Sequence, residues 1–191
     1  MKKVLTFLTL AFLSSAAFAQ TTWKSDPMHS KLAFSTTHLG ISDVAGLFKT
    51  FEVTISGNQA NFSDAVFTLT ADVGSIDTEI EMRDNHLKSA DFFETEKFPK
   101  MSFTSTSIKK SGKDRYKLTG NLTIRDITKP VTMDLWYRGT VDNPQSKAKT
   151  AGFQLTGKIN RSDFKVGPNF PAPMISDEVK IKADGEFTQK P

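Results

Sequence analysis

No cysteine occurs among the 191 residues of the chain. Disulfides, thiol catalysis, thiolate metal centres and covalent haem attachment are thereby excluded. Whatever stability the fold has must come from its core. An excess of one charge is also missing, since 25 basic residues face 21 acidic ones, interspersed along the sequence. A nucleic-acid-binding surface gathers Lys and Arg into a stripe or cluster. This distribution reads instead as a solvated surface, and no nucleic-acid partner is expected. Nor is there a second long apolar run. A membrane-spanning helix needs about 20 consecutive apolar residues, so no transmembrane segment is expected after processing.

What the N-terminus does carry is a leader. Met1-Lys2-Lys3 is followed by an apolar run over residues 4–13 and then by Ser14-Ser15-Ala16-Ala17-Phe18-Ala19. A basic start, a short apolar stretch and a small-x-small end make a secretory signal peptide. Cleavage is expected after Ala17-Phe18-Ala19, which gives a signal peptide over 1–19 and one mature domain over 20–191. Losing Lys2 and Lys3 lowers the formal charge from +4 to +2. Roughly 170 residues remain, enough for a single core. A periplasmic or secreted location fits the leader best.

Along the mature chain the recurring signal is alternation with period two, the mark of strands with one buried face. Leu32, Phe34 and Thr36 share one phase; then come Phe51, Val53 and Ile55; Ala65 to Val73; and Met101 with Phe103. Tyr116 to Ile124, Val131 to Tyr137, Phe153 to Ile159 and Val179 to Phe187 complete eight such segments. Polar turns such as Ser56-Gly57-Asn58 and Asp142-Asn143-Pro144 suit antiparallel neighbours. Many short one-sided strands need a sandwich or a barrel, and closure alone removes exposed edges. The expected fold is an all-β, eight-stranded antiparallel lipocalin-like barrel.

An eight-stranded barrel is either filled by its own side chains or holds one small ligand. Seven small residues fall on the inward phase: Ala65, Ala71, Gly120, Ala151, Gly157, Ala183 and Gly185. Set among large aromatics, they leave room for an occupant. The alternative is that they only permit bends and balance the taper. Between the third and fourth strands lies a long insertion. Thr78 with Glu81 three residues later matches a capping box, so a short helix is expected to start there, or otherwise at Asp84. A Pro-rich stretch over 167–173 offers a second rim for an opening.

Catalytic signals are absent. There is no G-x-S-x-G, no G-x-G-x-x-G and no P-loop, and the three histidines, His29, His38 and His86, form no close-spaced ligand pair. No metal site is expected. Polar residues able to orient a ligand head are His38, Arg83, Asp84 and His86, with Arg125 and Arg161 in later turns. Against this stands the reading that Arg83–Asp84 and Arg161–Asp163 are ion pairs holding loops.

These residues also carry a resemblance. Trp23 with Asp26, His29-Ser30 and Phe34, His38 leading into Val44-x-Gly46-x-Phe48, and Ser75-Ile76-Asp77-Thr78 occur in order. Arg83-Asp84-x-His86-Leu87, Asp91-Phe92-Phe93 and Phe98-Pro99-x-Met101-x-Phe103 follow. Gly120-x-Leu122-Thr123-Ile124-Arg125 and Asn160-Arg161-Ser162-Asp163-Phe164 end the series. From Trp23 to about Phe187 the chain resembles the YceI-like family of secreted lipid- and polyisoprenoid-binding proteins. One departure is Asp126, where the family commonly has glycine. The resemblance implies an extended barrel holding a polyprenyl, isoprenoid quinone or fatty-acyl molecule with its head near the mouth, and it allows a homodimer. No other cofactor is expected.

The tail is expected among Phe34, Phe51, Phe67, Phe103, Tyr116, Tyr137, Phe153 and Phe187, and the head near His38, Arg83, His86 and Arg161. Access would require residues 79–93 or 167–173 to move. Two other classes of function remain open from sequence. One is an enzyme with His38 or His86 as general base; the other is a protein-binding module marked by an exposed apolar patch.

Overall fold

Alternation in the sequence becomes strands in the structure, a computed structural model that describes residues 20–190. The expected signal peptide, 1–19, lies outside the described residues. The strand segments are β1 (Thr21–Ser25), β2 (Lys31–His38), β3 (Ser42–Phe48), β4 (Phe51–Gly57), β5 (Val66–Asp72) and β6 (Ile76–Asp77). After helix α1 (Glu81–Lys88) come β7 (Lys100–Gly112), β8 (Arg115–Ile124), β9 (Ile127–Asp142), β10 (Lys149–Asn160) and β11 (Ile175–Gln189). All pair antiparallel.

These segments build eight barrel strands, because three strands are split. β1 and β2 lie end to end along β11, with Ser25 opposite Phe187 and Lys31 opposite Asp184, and residues 26–30 bulge between them. β3 and β4 form the second strand, pairing with β2 and β1 respectively across a break at Lys49-Thr50. The third strand, β5, continues into β6 through a 3-10 turn at Val73–Ser75. Each strand then pairs with its sequence neighbour, and the last closes on the first, so no edge is left open.

The expected fold class and strand number hold, and the helix falls between the third and fourth strands. Alternation did not reveal β1 and β3. Thr21-Thr22-Trp23-Lys24-Ser25 offers one large apolar residue, and Ser42-Asp43-Val44-Ala45-Gly46 has no periodic apolar face. The capping box is also corrected. Ile80 occupies the N-cap and makes no side-chain cap bond. Thr78 instead donates its Oγ1 and its backbone N–H to the buried Asp84 carboxylate at 2.6 and 2.8 Å.

The barrel has one closed end and one mouth. At the closed end the loop after β4 folds Phe62 inward, leaving it 3% exposed. Its ring meets Trp23, Tyr137 and Phe153 with centroids 5.3, 5.2 and 4.9 Å away. Phe62 adopts a left-handed φ of +59°, a costly conformation for a bulky residue. The Tyr116 hydroxyl holds the loop by donating to the Asn61 carbonyl at 2.7 Å. At the other end gather the β2–β3 turn, the insertion carrying α1, the β8–β9 turn and the segment between β10 and β11.

Arg125 ties three of those connections. It donates to Glu94 Oε2 at 2.6 Å and to the Lys165 carbonyl at 2.7 Å. Asp126, in the same turn, is not among the residues with positive φ, so the position does not demand glycine.

Candidate ligand-binding cavity

Inside the barrel is a cavity of about 510 Å³, within the range of small-molecule sites. Its wall is mostly aromatic and aliphatic. Phe51, Phe67, Phe103, Leu118, Leu135 and Phe153 come from successive strands, and Phe34, Ile181 and Phe187 come from the closing seam. Six of the eight expected tail contacts therefore border the cavity: Phe34, Phe51, Phe67, Phe103, Phe153 and Phe187. Tyr116 and Tyr137 lie elsewhere. Tyr116 anchors the end loop and Tyr137 packs on Phe62, so both belong to the floor.

The small inward residues explain the space only in part. Of the seven, Ala183 and Gly185 reach the cavity wall. A Cβ on Gly120 would lie 2.5 Å from Phe103 Cζ, and one on Gly157 would collide with Met133 Sδ. A large neighbour has folded over each of these glycines, so they let side chains lie flat along the sheet rather than opening room. Gly46 does the same for the Phe34 ring, whose Cζ would sit 2.5 Å from an added Cβ.

Polar side chains concentrate at the mouth, where His38, Arg83, His86 and Arg161 all border the cavity. Their states differ. All five N–H groups of the Arg161 guanidinium are engaged by backbone carbonyls. Nε donates to Ser176 at 3.0 Å; Nη1 donates to Val166 and Gly167 at 2.9 and 2.6 Å; Nη2 donates to Ile175 at 3.0 Å and to Phe170. Burial lowers its pKa from the ordinary value, partly offset by Asp177, yet a guanidinium stays charged. No donor is left for a ligand, so Arg161 holds the rim in place. The Arg161–Asp163 ion pair is not formed.

Arg83 is different. Nε donates to Thr78 Oγ1 and Nη2 to the Thr78 carbonyl, both at 2.7 Å. Its Nη1 has no protein partner among the described residues, and the Arg83–Asp84 ion pair is not formed either. His86 shares a hydrogen bond with Asp91 at 3.0 Å, from Nε2 to Oδ2. Its ring stands edge-on to Phe92 and Phe170, which stack on each other at 4.9 Å. This cluster joins the insertion to the 167–173 stretch across the mouth. Gly167 has φ of +63°, and an added Cβ there would lie 2.5 Å from Phe92 Cε1, so the rim requires glycine at that point. His38 is exposed at the end of β2.

His29 lies away from the mouth, in the bulge between β1 and β2. Its Nδ1 is 2.7 Å from Asp26 Oδ2, with Glu186 at 4.0 Å. The hydrogen bond to Asp26 raises the His29 pKa and in turn lowers that of Asp26. The three ligand atoms lie within 4.8 Å of one another. The arrangement is accounted for as an exposed ion pair.

The closed-end residues Trp23 and Phe62 and the rim residues Phe92, Phe93, Phe164 and Phe170 were not among the ligand contacts expected from sequence, although Trp23, Phe92, Phe93 and Phe164 belong to the motifs that carry the resemblance. Most sit in loops, where no periodicity marks them.

The sequence profile of the YceI-like domain matches residues 23–187. Protein YceI of Salmonella arizonae is 38% identical over 189 residues, spanning 97% of this chain and 98% of its own length. The crystal structure of the Campylobacter jejuni YceI protein superposes with a TM-score of 0.73 at 33% identity, covering 81% of this chain and 90% of that one. A polyisoprenoid-binding domain from Saccharophagus degradans gives 0.67 at 13% identity, covering 90% of this chain and all of its own, and shares the fold.

Proposed function

Because this chain belongs to the YceI-like domain family, we propose that its barrel binds one long-chain amphiphilic lipid, as a periplasmic carrier or scavenger rather than as an enzyme. The observation that carries this reading is the apolar cavity inside the barrel, bordered at the mouth by polar side chains. A polyisoprenoid, an isoprenoid quinone or a fatty-acid derivative has that shape and polarity. Polyisoprenoid is also the ligand named for the Saccharophagus degradans domain, whose likeness here is one of fold.

Magnitudes favour a long tail. Each buried methylene contributes about 0.8 kcal/mol, so ten of them give roughly 8 kcal/mol. Association and ordering cost about 4–15 kcal/mol, which a short chain would not offset. Arg83 Nη1, with His38 nearby on the cavity border, would take an anionic or carbonyl head. Passage of the tail would need α1 to part from Phe170.

Native mass spectrometry of gently purified protein, followed by solvent extraction, tests the reading. A stoichiometric long-chain molecule is expected. A lipid-free mass that stays unchanged after incubation with polyprenyl and fatty-acyl ligands would overturn it.

A further inference from the structure

Large apolar side chains left in solvent are unevenly placed. Among the described residues there are eight, and five of them, Leu39, Ile41, Ile80, Met82 and Met174, sit at the mouth end. Of these five, Ile41 and Met82 are the most exposed, at 86% and 81%; Met28, in the bulge between β1 and β2, reaches 86% alone. Exposed apolar side chains scattered singly need no explanation, whereas a set gathered at one opening does.

They belong to three elements that frame the mouth. Leu39 and Ile41 form the tip of the β2–β3 turn, and Met174 belongs to the segment before β11. The Leu39 N–H donates to the Met174 carbonyl at 3.1 Å, which joins tip and segment. Ile80 and Met82 start α1, which follows β6, and β6 pairs with β3 through Leu47–Asp77 and Phe48–Ile76. Met174 is half exposed and also borders the cavity. The outer apolar rim is therefore continuous with the inner apolar wall.

The chemistry of the rim selects its partner. Protruding side chains on separate loops offer no groove to grip a shaped protein surface, but each can sink independently into a deformable apolar medium. Charges among them have both signs, with Glu79 and Glu81 beside Ile80 and Met82, and Arg83 next. Among the described residues beside Ile80 and Met82, acidic side chains outnumber basic ones, so the rim carries no basic cluster of the kind that selects an anionic headgroup. We propose that the mouth rim seats the barrel on an electrically neutral lipid bilayer, through Leu39, Ile41, Ile80, Met82 and Met174. A lipid tail then passes between leaflet and cavity without crossing water. The proposal rests on the lipid-binding reading.

The test is co-sedimentation of the purified full chain with phosphatidylcholine vesicles, alongside native mass spectrometry of the same samples. Measurable partitioning is expected. It should fall at least about tenfold in an Ile41→Ser/Met82→Ser variant, because each side chain withdrawn from an apolar medium costs about that factor. Val141→Ser, exposed at the closed end, should leave it unchanged. Absence of vesicle binding by protein that carries lipid would overturn the docking proposal and leave the carrier reading standing. Vesicle binding by protein that never takes up lipid would overturn the carrier reading instead. Binding that requires phosphatidylglycerol and ignores the double substitution would reject the apolar rim. So would self-association abolished by that substitution without vesicle binding, which would assign the rim to a second copy.

Discussion

The Asp26–His29 pair shows how a single exposed contact registers in solution. Asp26 accepts from His29 and from the Met28 N–H, and both bonds favour its ionised form. The folded His29 pKa lies above its ordinary 6.5, and that of Asp26 lies below its ordinary 3.8. The His29 contribution to stability is present below pH 6.5 and is lost as pH rises through the raised folded value. That of Asp26 is present above pH 3.8 and is lost as pH falls through its lowered value. The pair therefore works best between those limits. Titrating the His29 ring by NMR should give a midpoint above those of freely exposed imidazoles, and Asp26→Asn should lower it, leaving only the smaller upward pull of Glu186. An unchanged midpoint in the variant would remove Asp26 as the cause. Sequence placed these two residues three apart, but the Glu186 contact depends on how β11 closes the barrel, which no local pattern encodes.

At the scale of elements, strands were legible where the buried face carries a run of apolar residues and obscure where small or polar residues, such as Ser25 in β1 and Gly46 in β3, interrupt it. β8 alternates cleanly, burying Tyr116, Leu118, Leu122 and Ile124, and the sequence announced it. β3 turns Val44, Gly46 and Phe48 inward, and the glycine, covered by the Phe34 ring, interrupts the apolar stripe that would have marked the strand. Site residues divide the same way. Strand aromatics reach the cavity because the period fixes their face, whereas loop aromatics such as Phe92 and Phe170 meet only through tertiary folding. Arg161 was legible as a functional-looking residue but not as a rim anchor, since its five acceptors come from residues 166–176. Lysine has three N–H donors at most. Arg161→Lys should therefore strand at least two carbonyls and cost about 2–6 kcal/mol in urea unfolding. Amide exchange should quicken across 162–175 while β7 and β8 stay protected. Uniform loosening of the whole barrel would contradict a local rim role.

The whole molecule sets side-chain packing against an internal cavity. With no disulfide, the barrel must be stabilised by its core, yet the middle of that core is a cavity of about 510 Å³. Contacts forgone along an empty wall lower stability, so a substitution that fills the space should strengthen the lipid-free protein and weaken binding together. Ala183 is the position to use. It faces the cavity from β11, between Leu155 on β10 and Leu32 on β2, and both neighbours also border the space. Ala183→Leu adds three carbons, worth about 2.4 kcal/mol once buried. Urea unfolding of delipidated protein should show that gain at an unchanged m-value. Displacement of a fluorescent fatty-acyl probe should show affinity falling about tenfold, because the same volume is no longer available to a tail. If stability falls instead, by the roughly 1–3 kcal/mol that overpacking costs, the wall at Ala183 is already close-packed and a ligand must lie elsewhere along the barrel. The opposed movement of stability and affinity is what separates a binding cavity from an ordinary packing defect, since a defect loses no ligand when it is filled.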